Sequence, residues 1–153
     1  MGFDSRVADL PVLGIGVSTE YGAHSPGTTL DPSALREQHP DYGGFLEVGV
    51  EIAKGLDDDA RRWIQRGHPW TYHFLDINLD EPEDFDQAWL SRVREFVDNY
   101  DPAWLCGDAG MWHFGPREPE TMLLLPPILT EDAVRPMGDG IRRLRDASTR
   151  EVL

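Results

Sequence analysis

Four short apolar runs, each followed by a segment of helical character, constrain this chain more than anything else in it. The runs are Leu10–Val17 (LPVLGIGV), Gly44–Glu51 (GFLEVGVE), Trp70–Leu75 (WTYHFL) and Ala103–Gly107 (AWLCG). Short apolar runs set off by Gly and Pro suit strands buried on both faces. Four helices are expected among them. Pro32–Gln38 has Asp31 at its N-cap and Pro32 at its first position. Asp57–Gln65 is acidic at its start and followed by Arg61, Arg62 and Arg66, as the helix dipole favours. Glu81–Tyr100 carries Phe85, Trp89, Val93, Phe96, Val97 and Tyr100 as one apolar stripe. Glu131–Ala147 follows Thr130 as cap, and Pro136 within it predicts a kink.

Strands alternating with helices imply right-handed βαβ units and a parallel sheet. The fold class is therefore α/β. Four units, with Glu151–Leu153 beginning a fifth strand, make a parallel (βα)4 half of a TIM-type barrel, incomplete at the C-terminus, because a full barrel takes ~250 residues. Residues 1–153 read as one half-barrel domain, without repeats or a linker.

Charge and cysteine content narrow the function classes. Against 14 Lys and Arg stand 28 Asp and Glu, for a net charge of −14. Such a surface repels phosphate backbones and anionic lipids, so neither nucleic acid nor membrane is an expected partner. No segment approaches the ~20 apolar residues of a membrane span, the N-terminus lacks a secretory apolar core, and a cytoplasmic location is expected. A single cysteine excludes an internal disulfide and a Cys-based zinc cluster. An unclosed half-barrel leaves sheet edges open, which predicts a homodimer, or a complex with a partner protein or second half-barrel.

In parallel α/β folds the chemistry gathers where strands end. The polar residues there are Ser18 and Glu20 after the first strand, Glu47 and Glu51 in the second, His73 and Asp76 in the third, and Asp108 with His113 after the fourth. Glu47 and Glu51 are four positions apart, so strand alternation points them to the same side. Buried Glu is rare unless paired or metal-bound. His73, flanked by Tyr72 and Phe74, reads either as a satisfied core histidine or as a ligand. A His, Asp and Glu set without Cys suits iron, manganese or a similar cation. Dinucleotide, P-loop and nucleophile-elbow signatures are absent.

Those same residues carry a family resemblance, which runs from Leu10 to Leu153. GFLEVGVE resembles the second strand of the multinuclear non-heme iron-dependent oxidative enzymes, typified by the methanobactin-biosynthesis oxidase, with Glu47 and Glu51 on the two family glutamates. YHFLDINL resembles the third strand, which places His73 on a metal-binding histidine. GDAGMW lies over a Ser-Asp-His-Leu-x-Trp pattern, so Asp108 and Trp112 match while Ala109 replaces the histidine. LLLPPILTEDAV resembles the stretch leading into the fourth helix.

The resemblance implies a xylose-isomerase-like barrel that binds two or three iron ions. With dioxygen, such enzymes modify residues, often cysteines, of ribosomally made precursor peptides in natural-product biosynthesis, usually with a partner protein. It further implies His73 and Asp108 as metal ligands, with His113, Glu47 and Glu51 as further candidates. Trp112, Ser18, Glu20 and Asp76 would line the substrate pocket. Two other readings remain: a non-catalytic half-barrel that binds a peptide or partner protein, and a metal-dependent barrel enzyme acting on sugars or phosphodiesters.

Overall fold

In the computed structural model, residues 2–20, 31–117 and 124–153 are described. The loop at 21–30 and residues 118–123, part of the expected Gly110–Pro127 loop, lie outside them. The chain runs α1 (Phe3–Ala8), β1 (Val17–Glu20), α2 (Pro32–Gln38), β2 (Leu46–Val50), α3 (Asp58–Gln65), β3 (Trp70–Phe74), α4 (Gln87–Tyr100), β4 (Leu105–Cys106) and α5 (Glu131–Ser148). The four strands form one sheet in the order β1-β2-β3-β4, every pair parallel. Val152 adds a parallel bridge to Leu105, where a fifth strand was expected to begin. This is α/β architecture, the (βα)4 half of a TIM-type barrel.

Side-chain alternation divides the sheet into two faces. On the helix-facing side lie Leu46, Val48 and Val50 of β2, Trp70, Tyr72 and Phe74 of β3, and Leu105 of β4, all buried. They pack with Trp89, Val93, Phe96 and Val97 of α4 and Leu144 of α5 in one apolar core. Phe96 anchors the contact, its ring 4.9 Å from Tyr72 and 6.0 Å from Trp70, the latter edge-on at 77°. The apolar stripe expected of α4 is thus the stripe that packs.

Helix starts follow local chemistry. The side chains of Asp31, Asp57 and Asp86 accept from backbone N–H groups in the first turns of α2, α3 and α4. Thr130 makes no such side-chain bond at the start of α5, and that helix runs unbroken through Pro136. The long helix expected over Glu81–Tyr100 is divided. Pro82–Phe85 form a 3₁₀ turn, and Asp86 in extended conformation restarts the chain as α4. A side chain able to cap creates a start wherever it sits, so periodicity alone overestimates helix length.

The first strand is the largest correction. Leu10–Gly16 is irregular, with Val12 97% and Ile15 60% exposed, and pairing begins only at Val17. Pro11 lacks a ladder donor and Gly14 takes φ +80°, so apolar content here does not make a strand. Helix α1, without a buried residue, gave no apolar signal in the sequence. Its Arg6 donates through Nε to both Glu151 carboxylate oxygens, at 2.8 and 3.0 Å.

Gly140 lies in α5 where the helix crosses the start of the 3₁₀ turn. A methyl group there would collide with the Leu79 carbonyl oxygen and the Phe85 ring. At an open helix site Gly→Ala gains up to about 1 kcal/mol. Gly140→Ala is instead expected to destabilise by roughly 1–3 kcal/mol, the range for overpacking, read as a lower midpoint in thermal or urea unfolding.

Candidate functional site

The opposite, inner face of the sheet carries polar residues in two adjoining rows. Register aligns Ser18 with Glu47 and Thr71, and one step on it aligns Gly49 with His73 and Cys106. The Ser18 hydroxyl donates to Glu47 Oε1 at 2.6 Å. Glu47 Oε1 lies 3.5 Å from His73 Nδ1, and His73 Nε2 lies 3.2 Å from Asp108 Oδ2. A carboxylate thus stands at each ring nitrogen of His73. The Cys106 thiol donates to Glu47 Oε2 at 3.3 Å. Burial, and then the Glu47 carboxylate, push that thiol well up from its ordinary value, which keeps it protonated and a poor nucleophile.

Gly107 sets the end of β4. A side chain there would run into the Phe74 ring, so only glycine lets the chain pass this close and deliver Asp108 beside His73. The group is open to water. His73 and Glu47 are partly exposed, and the Asp108 side chain is 45% exposed. A cleft of about 560 Å³ lies elsewhere, at the N-terminal end of the strands beside Pro69, Trp70 and Ala103.

Four other residues expected at the site, Glu51, Asp76, His113 and Trp112, go elsewhere. Glu51 lies just past β2, buried, with Lys54 Nζ 3.0 Å away. Asp76 shares the alternation of Trp70, Tyr72 and Phe74, which turns it to the helix side, and it accepts from Trp89 Nε1 at 3.0 Å. His113 is 2% exposed, with Nε2 2.9 Å from Asp84 Oδ2 and Nδ1 2.8 Å from the Gly115 carbonyl. Trp112 is buried too, its backbone N–H bonded to Asn78 Oδ1 at 2.6 Å. Glu20 pairs through its backbone with Gly49, and its side chain lies outside the described residues.

His113 therefore does not stand in for the histidine that Ala109 lacks. It belongs to a buried polar network with Asn78 and Asp84. Asn78 donates through its backbone N–H to Asp84 Oδ2 at 2.5 Å and through its side chain to the His113 carbonyl at 3.0 Å. Glu81 joins them, and one ligand atom each from Glu81, Asp84 and His113 falls within 4.8 Å of the others, a group able to hold a metal ion. Sequence reasoning read Glu81–Asp86 as a helix start and passed over Asp84.

No known family's sequence model matches the chain. It is 24% identical over 129 residues to the UPF0276 protein Nmul_A2550 of Nitrosospira multiformis, over 78% of this chain and 42% of that protein. The chain thus spans less than half the length of that relative. The kinship is distant, and it accords with the barrel-type sheet. Among the described residues no helix is long and apolar enough to cross a membrane.

Asp76 makes a pH-dependent contribution to stability. Burial raises it from 3.8 to about 6, against the lowering effects of the Trp89 bond and of Arg117. Folding therefore favours its protonated form, and that advantage is full below about pH 4 and lost as pH rises through about 6. Asp76→Asn keeps an acceptor for Trp89 and removes the buried charge. Relative to the parent it is expected to be unchanged near pH 4 and more stable by roughly 1–2 kcal/mol near pH 8, read from urea midpoints at both values.

Proposed function

We propose that this chain is the N-terminal half of a non-heme iron-dependent oxidase that uses dioxygen to modify residues, often cysteines, of ribosomally made precursor peptides. The observation that carries this reading is His73, set at the end of β3 with Nε2 3.2 Å from Asp108 Oδ2 and Nδ1 3.5 Å from Glu47. Imidazole and carboxylate without thiolate are a donor set suited to iron. His73 Nε2 and Asp108 would hold the ion, and Glu47 would orient the ring through Nδ1, as outer carboxylates do for ligating histidines. Ser18, by donating to Glu47, fixes that carboxylate in turn. Iron, when bound, would supply the activation of dioxygen.

Two donors leave an iron ion's coordination incomplete, and the two or three ions of the resembled family would need more. The proposal therefore includes completion by further strands or by a partner chain carrying the remaining ligands. The chain's 42% coverage of its longer relative accords with this. So do exposed apolar side chains such as Phe114, Ile128, Leu129 and Val134, which a completing unit would cover. Ala109 and the engagement of His113 with Asp84 favour a second reading, a non-catalytic half-barrel that binds a peptide or partner.

Iron content after aerobic purification, with any completing chain present, separates the two. The first reading expects iron approaching one or more per chain, reduced at least tenfold by His73→Ala or Asp108→Asn. Under a tenth of an iron per chain in the parent would sink it and leave the binding reading. Light scattering of the isolated chain is expected to give a dimer or larger species, since its apolar surface and sheet edges are open; a monodisperse monomer would contradict this.

A further inference from the structure

Glu81, Asp84 and His113 take no part in the cluster around His73. They meet between the 3₁₀ turn that precedes α4 and the loop that follows β4. We propose that these three residues form a separate site for a divalent transition-metal ion such as zinc or manganese, which clamps that loop to the start of α4.

Spacing is the first ground. The three ligand atoms lie within 4.8 Å of one another, and His113 Nε2 is 2.9 Å from Asp84 Oδ2. Two donors bound at about 2.1 Å to one metal stand about 3 Å apart when adjacent and about 4 Å when opposite. The His113–Asp84 pair matches adjacent positions as it stands, and the widest separation, within 4.8 Å, needs to close by less than about 1 Å for one ion to take all three.

The hydrogen bonding around His113 is the second. Nδ1 lies 2.8 Å from the Gly115 carbonyl, which can only accept, so Nδ1 carries a hydrogen. In the neutral ring this leaves the Nε2 lone pair turned on Asp84 Oδ2, an oxygen that already accepts the Asn78 N–H. Backbone groups thus orient both ligands from outside the cluster, as is typical of metal sites. Two lone pairs facing each other at 2.9 Å, on residues 2% and 4% exposed, require a cation. A proton can serve. A metal ion satisfies the same lone pairs and adds Glu81.

Charge is the third. A cleft of about 510 Å³ beside the group is lined by Glu81, Glu83, Asp84 and Asp86 against one cation, Arg117. Arg117 is already engaged with the Asp84 carbonyl at 3.0 Å, Asp86 Oδ2 at 3.1 Å and the Trp89 ring at 5.4 Å. Asp84 and Glu81 thus face a cleft with negative charge in excess, which draws a divalent cation. Open coordination positions would point into that cleft.

The test uses the metal-stripped chain carrying His73→Gln and Asp108→Asn, which removes the strand-end ligands, with its fold checked by circular dichroism. Titration calorimetry with zinc or manganese chloride is expected to show about one ion per chain, and thermal unfolding a higher midpoint with metal. Adding Glu81→Gln, a half-buried position, should weaken binding at least tenfold and keep the fold; Asp84→Asn should do the same. Three outcomes would overturn the proposal. One is a folded background variant that binds no metal, which leaves the pair a proton-bridged structural contact. Another is binding indifferent to both Glu81→Gln and Asp84→Asn. The third is an unfolded background variant together with a parent whose metal binding Glu81→Gln leaves unchanged.

Discussion

Side chains alternate across a strand, and in β2 and β3 that alternation keeps apolar packing and polar chemistry one residue apart. Tyr72 and Phe74 turn to the helices and are fully buried, while His73 between them turns to the open inner face. The same parity separates Val48 from Glu47. Parallel register then carries the alternation across the sheet, so that Ser18 and Glu47 share a row and His73 and Cys106 share the next. A slip of one residue would send His73 into the core against Phe96 and move Tyr72 to water. The aromatic packing of α4 on β3 therefore holds the polar cluster in place, and Tyr72 also meets it through its carbonyl, 3.6 Å from the Cys106 thiol.

Two polar groups at one end of the sheet are built on opposite principles. The group around His73 is partly open to water: the His73 side chain is 18% and that of Asp108 45% exposed. Charge there costs little, and a ligand can approach. The group around His113 is buried, with the His113 and Asp84 side chains 3% and 5% exposed. Its cost of desolvation is offset by Asn78, which supplies a backbone donor to Asp84 and a side-chain donor to the His113 carbonyl. That network draws the chain after β4 back toward α4 and so removes His113 from the inner face. Ala109 leaves the first group with one histidine, and the second group is the reason the neighbouring histidine does not make up the loss.

Much of the fold was legible in the residues. The α4 stripe, the Asp31 cap and the strand–helix alternation act over a few residues, where pattern and structure are nearly the same thing. Leu10–Gly16 was misread because an apolar run is a strand only when a neighbour accepts its ladder, and Pro11 and Gly14 prevent that. Asp76 was misplaced for a smaller reason. It lies an even number of residues from Tyr72 and Phe74, so counting parity beyond the strand would have put it on the helix side, where Trp89 meets it.

By itself the sequence determined most of the segments that become strands and helices, that the sheet is parallel, and that His73 and Asp108 lie near strand ends, because each follows from local periodicity or from connection length. Only the tertiary structure decided that Glu47 and Asp108 take opposite nitrogens of His73, that Glu51 meets Lys54, and that His113 joins Asp84 instead of Asp108. The physical reason is distance along the chain. His113 and Asp84 are 29 residues apart, and their meeting depends on how the loop after β4 folds over the turn before α4, which no short-range pattern encodes.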